Sequence, residues 1–315
     1  MGAYFASLNF ASLPARMPSA IAQGILWGLM ALGVYITFRL LDVADLSVDG
    51  SFATGGAVTV MLIIAGWPAW AALLAALLVG VLAGLCTGLL HTKLGIPAIL
   101  AGILTQFALY SVNLRIMGMK ANQTASLKTY GMFWENGGKG FLVSSRYVPQ
   151  AIGIGFLLAA VLIALLYWYF GTEQGHAIRA TGCNQQMARA QGINTNLHTV
   201  IALMISNGLV GLSGGLYAQY QGAADVNMGR GAIVIGLAAV IIGEVIFGRL
   251  CAGKNLAFAY TLFSVIGGAI IYYIVMNVVL WLKLPSDDLK LFSAIVVAVF
   301  LAIPYLKSTR KGKER

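Results

Sequence analysis

The sequence predicts an all-α, polytopic transmembrane helical bundle of about nine spans, with inverted 4+4 repeats and broken helices. Composition gives the class: the 315 residues are 59% hydrophobic and only 10% charged, with a mean hydropathy of +0.85, whereas a soluble domain carries about 25% charged residues. Spacing gives the architecture, because the apolar residues gather into runs close to the ~20 residues that cross a bilayer. Several of those runs are short and broken by glycine. Such spans belong inside a bundle, where other helices or water satisfy the backbone.

In chain order, residues 1–19 place Pro14, Arg16 and Pro18 ahead of the first long apolar run. That is the wrong order for a cleavable leader with a basic start and an apolar core, so this stretch is read as an interfacial lead-in. Spans are then expected at residues 20–41, 51–66, 69–90, 97–113, 150–170, 197–220, 231–248, 256–281 and 289–305. The membrane domain covers 20–306, with a polar cytoplasmic loop at 171–196, and a basic tail follows at 307–315. The second, fourth, seventh and ninth spans are short. The second opens with S-F-A-T-G-G, a poor start for a helix facing lipid.

Basic residues set the orientation. With a cytoplasmic C-terminus the inside carries eleven Lys and Arg residues, while the outside carries four plus five more in the loop from Arg115 to Arg146. That loop is short enough to count, so the inside bias is a modest one. The net charge of +10 is thereby explained without a nucleic-acid partner. The outer loop, rich in Gly, Asn, Lys and aromatic residues, is a candidate landing surface for a soluble or lipid-anchored receptor. Cys86, Cys183 and Cys251 show no metal spacing and are read as packing residues.

An internal repeat appears at an offset of 180. Gly28, Leu29 and Leu32 match Gly208, Leu209 and Leu212; Ala44 and Asp45 match Ala224 and Asp225; Gly56 and Val60 match Gly236 and Val240. With nine spans the first runs inward and the sixth outward, so the copies are inverted and a solute pathway is expected near midplane between them. Candidate pathway residues are Asp49, Ser51, Thr54, Gln106, Asn207 and Gly231. Asp49 and Ser51 are read as caps for a half-helix starting near Phe52. Asp42 and Asp45 are read as solvated acids at the membrane edge near Arg39. Glu244, an ionisable group within a span, is read either as functional or as half of a salt bridge at the cytoplasmic end, Gly248 and Arg249 being near in sequence.

Catalytic chemistry is not indicated. Gly138-Lys139-Gly140 lacks both the first glycine and the hydroxyl residue of a phosphate loop. His91, His176 and His198 sit at span ends without acidic and nucleophilic partners at a defined spacing. Midspan charge is scarce, which argues against a proton- or sodium-coupled carrier; a stand-alone secondary transporter or channel is the alternative reading.

The polar loop holds the most specific motif. Asn184 is a good N-cap, residues 185–191 are helix-compatible, and Gly192 sits where a left-handed C-cap belongs. Two turns, about 10 Å, are too short to persist alone in water. The run G-x-A-I-R-A-x-G-x-N-x-x-x-A-x-x-x-G-I, from Gly175 to Ile193, resembles the cytoplasmic loop of permease subunits in the branched-chain amino acid and ribose branch of ABC importers. The resemblance implies a coupling helix whose docking face is Asn184, Gln185, Met187, Ala188, Arg189 and Ala190. It further implies an ABC ATPase partner carrying ATP and Mg, with no cofactor on this chain. A second permease subunit, as in a homodimer, an extracytoplasmic solute-binding protein and a bacterial inner-membrane location are implied as well. Such permeases carry an additional helix at the start, which is not expected here. D-L-S-V-D-G-S-F, from Asp45 to Phe52, is similar to a subgroup assigned to tryptophan or tyrosine uptake, and implies an amino acid substrate.

Overall fold

The computed structural model describes residues 12–134, 139–251, 257–281 and a few positions between 291 and 302. In order these are α1 (Ser12–Tyr35), continued by a π-helical turn (Ile36–Leu40), α2 (Val48–Ile64), α3 (Ala69–Thr92), α4 (Ala98–Ile116), β1 (Asn122–Thr124) and α5 (Leu127–Tyr130). There follow α6 (Val148–Phe170), α7 (Glu173–Cys183), α8 (Gln185–Ala190), α9 (Thr195–Gln221), β2 (Ala223–Asp225), α10 (Ala232–Cys251) and α11 (Ala257–Trp281). Six helices are long and apolar enough to cross a membrane, and α2 and α10 are shorter apolar helices. The chain is a helical, multi-pass membrane protein. The expected ninth span is described at only a few of its positions, and the basic tail lies outside the described residues.

Two boundaries differ from the sequence reading. Helix α1 begins at Ser12, so residues 12–19 continue the first span and Pro18 lies inside it. Helix α2 begins at Val48 with Ser47 at its N-cap, several residues before Phe52. Neither Asp49 nor Ser51 caps it, because both already lie within its first turn.

Helix α9 is the axis of the bundle, buried along most of its length. It packs most extensively on α3, and α1 packs most extensively on α11. Lipid tails are as apolar as leucine, so helices in a bilayer associate through close van der Waals packing, which small residues permit. Gly80 and Gly84 of α3 lie directly under the carbonyls of Asn207 and Leu203, where any Cβ would collide with backbone. Around this axis a core forms from α1, α6, α9 and α11, with Leu26, Leu29, Leu216 and Val265 fully buried.

Both long helices α1 and α9 end in a left-handed turn, at Asp42 (φ 56°) and Gly222 (φ 72°). These residues are 180 apart, the same offset as the sequence repeat. After each turn an aspartate accepts the N–H two residues on. Asp45 Oδ1 takes Ser47 N–H at 2.9 Å and Asp225 Oδ1 takes Asn227 N–H at 2.7 Å. The long outer loop is also ordered in part: β1 pairs antiparallel with β2, Asn122 opposite Asp225, and Met132 and Phe141 are buried beneath it.

Candidate functional site

Three places concentrate polar side chains: the middle of the bundle, the mouth of a cavity beside it, and the polar loop. In the middle, Asn207 Nδ2 donates to Asp45 Oδ2 at 2.7 Å, and the hydroxyls of Ser47 (to Asp45 Oδ1, 2.5 Å) and Ser51 (to Asn207 Oδ1, 2.6 Å) complete the cluster. Asp45 is 3% exposed and Asn207 and Ser51 not at all. Asp45 is therefore no solvated edge acid; the acid nearer solvent is Asp42. Ser51, Asn207 and Thr54 are buried and bonded within the chain. Ser51 and Asn207 are consumed by the cluster, and the buried Thr54 hydroxyl donates to the Gly50 carbonyl at 2.8 Å.

Asp49 leaves this cluster and reaches the other short helix. Its carboxylate accepts N–H groups from Gly231 at 3.0 Å and Ile233 at 3.1 Å, so it caps α10, where the free N–H groups and the helix dipole favour an anion. Gly231, at φ 86°, turns the chain into that helix; a side chain would be strained there. Asp49 and Gln106, two of the expected pathway residues, do line a common cavity of about 320 Å³ with Phe107, Tyr110, Asn113 and Arg230. The last four were missed, since their proximity arises from contacts between α4 and a turn more than a hundred residues later. Glu244 pairs with Arg39 through two 2.7 Å bonds; the side chain of Arg249 lies outside the described residues. Arg39 lies in the π-helical turn that continues α1, and Glu244 in the second half of α10.

In the polar loop, Asn184 Oδ1 accepts the N–H groups of Gln186 and Met187 at 3.0 Å each, and Gly192 (φ 80°) closes the helix. Gln185, Gln186, Met187 and Ala190 are exposed, Met187 by 61%. Ala188, 3% exposed, faces its own chain instead of outward. Arg189 is solvent-accessible, yet its Nε donates to Thr195 Oγ1 at 2.8 Å, fastening α8 to the start of α9. Gln186, omitted from the expected docking face, is as exposed as its neighbours. One helix earlier, Gly182 abuts the Leu40 carbonyl, so α7 grips the end of α1. Arg179 stacks over Phe258 at 4.1 Å; burial lowers its pKa, partly offset by Tyr35. Cys86 and Cys183 are free and exposed, not core packing.

The family model described as branched-chain amino acid transport system / permease component matches residues 17–304. The chain belongs to this permease family. The permease is 37% identical over 293 residues to a tyrosine transport system permease protein of Clostridioides difficile (strain R20291), covering 93% of this chain and 92% of that one. It is 32% identical over 284 residues to an uncharacterized protein of Rickettsia prowazekii (strain Madrid E), covering 90% and 96%. A D-allose transport system permease protein of Escherichia coli (strain K12) is 28% identical over 247 residues, covering 77% and 69%. No solved structure matches the permease.

Proposed function

We propose that the permease is the non-catalytic membrane subunit of an ABC importer that moves a small organic solute, an amino acid and in particular an aromatic one, inward. ATP hydrolysis with Mg takes place on a partner ATPase, a second copy of the permease completes the translocation unit, and an extracytoplasmic binding protein delivers the solute. The assembly sits in the bacterial inner membrane with the permease C-terminus in the cytoplasm. Two inverted repeats, α1 to α4 and α9 onward, flank the pathway, with a ninth span completing the second; the matching left-handed turns and Asp45 and Asp225 turns support that plan.

The observation that carries this reading is α8. A six-residue helix cannot hold itself together in water, and this one is capped by Asn184 and tied back by Arg189. It nevertheless turns a large apolar side chain, Met187, outward. That is the form of a part held ready for another protein. Its motion has a short route into the bundle: α8 to α7, Gly182 to Leu40, and then the irregular 41–47 segment that carries Asp45.

Met187→Glu tests the reading. An exposed site tolerates the charge, so the permease should remain in the membrane, while ATP-dependent uptake falls by about tenfold or more, equivalent to at least about 1.4 kcal/mol of docking. Unchanged uptake would remove the docking role. Solute flux in liposomes with no ATPase present would favour a transporter working alone.

A further inference from the structure

Resting on the amino acid reading above, we infer that the cavity between the start of α2, α4 and the 226–230 turn is the permease's own substrate site, and that it holds the charged end of an aromatic α-amino acid. Two charged side chains line it, Asp49 and Arg230, of opposite sign. Among the described residues the one ion pair is Arg39 with Glu244, so Asp49 and Arg230 do not neutralise each other. Arg230 presents a planar fork of donors that matches a carboxylate. Asp49 gives one lone pair of each oxygen to the start of α10 and keeps others for an ammonium group.

Asn113 also lines the cavity. It is 1% exposed, and neither atom of its carboxamide has a hydrogen-bond partner. Buried polar groups are nearly always paired, and an exception calls for a reason; a ligand's polar group arriving in the cavity supplies one. Phe107 and Tyr110, 72% and 44% exposed, present ring surface on which an aromatic side chain can stack. The volume, about 320 Å³, is at the small end of the range for small-molecule sites. A neutral sugar would leave both charges unanswered. A simple anion would meet Asp49, and a simple cation Arg230.

The full-length permease in lipid nanodiscs should bind tritiated L-tyrosine, and unlabelled L-tryptophan should displace it. Tyramine, which lacks the carboxylate, and 3-(4-hydroxyphenyl)propionate, which lacks the amine, should compete at least about tenfold more weakly, and Arg230→Gln should weaken tyrosine binding by a similar factor. Arg230 is solvent-exposed, so this variant should fold. Equal competition by tyramine, or binding within about twofold of wild type in Arg230→Gln, overturns the site. So does a wild-type permease that binds no tyrosine while the assembled importer takes it up, in which case the transport reading survives. Binding that depends on Arg230 in an importer that moves no amino acid upholds the site and overturns the transport reading.

Discussion

The two chain breaks at 41–47 and 222–231 start alike and end differently. Each follows a long helix through a left-handed residue, and each carries an aspartate that accepts the N–H two positions on. In the first break the aspartate is sealed: buried in the centre of the bundle, it accepts from Asn207 and Ser47. In the second, Asp225 is half-exposed in a strand, and the chain beyond it forms a cavity wall with Arg230. The sequence explains the divergence. At the offset of 180 the position equivalent to Asn207 is Trp27, which packs on Phe52 at 4.7 Å between ring centres and offers no carboxamide to a carboxylate. One break is bonded into the centre of the bundle and the other forms one wall of a cavity.

Breaking the sealed side should have the largest effect. An ordinary interhelical hydrogen bond in a membrane contributes about 0.6 kcal/mol. Asn207→Leu does more, since it removes one of the donors to a buried carboxylate and strands the Ser51 hydroxyl. A loss of about 3 kcal/mol is expected, the scale for leaving a buried charged group underpaired. Thermal unfolding in detergent measures it. A loss below about 1 kcal/mol would show that the sealed break is no tighter than any other helix contact, and the contrast between the breaks would disappear.

The open side should respond less. Asp49→Ala removes the cap of α10, worth about 1 kcal/mol at a helix N-terminus, and water from the adjoining cavity can reach the freed N–H groups. The same unfolding experiment should therefore rank Asp49→Ala well below Asn207→Leu. Equal losses would mean that α10 is as deeply locked as the centre.

How much of this was legible beforehand follows from the range of each interaction. Spans such as α3 and α6 could be placed closely because an apolar run is a local signal. The cap at Asn184 was legible for the same reason, since its partners are two and three residues away. Asp49 was misread as capping its own helix. A sequence shows the cap residue beside α2, but its actual partner lies 182 positions on. Ala188 was placed on the wrong face because a helix of six residues is too short for a periodic pattern to fix which side is buried. Asn113, Tyr110 and Arg230 carried no signal at all: each is unremarkable in sequence, and only the packing of α4 beside the second break makes them neighbours.

The smallest effect is expected where the two breaks are tied together from outside. Arg39 lies in the π-helical turn leading to the first break, and Glu244 lies on the helix that leaves the second. Their side chains meet in a two-bonded pair, but are 54% and 27% exposed, and an exposed pair gains little because water competes for both charges and salt screens them. A double-mutant cycle of Arg39→Ala and Glu244→Gln should give a coupling of about 0.5 kcal/mol that shrinks as salt is raised. A coupling above about 2 kcal/mol, insensitive to salt, would mean that lipid or a second subunit covers the pair. The tie would then hold the sealed break to the cavity wall, and the two breaks would move as one unit instead of two.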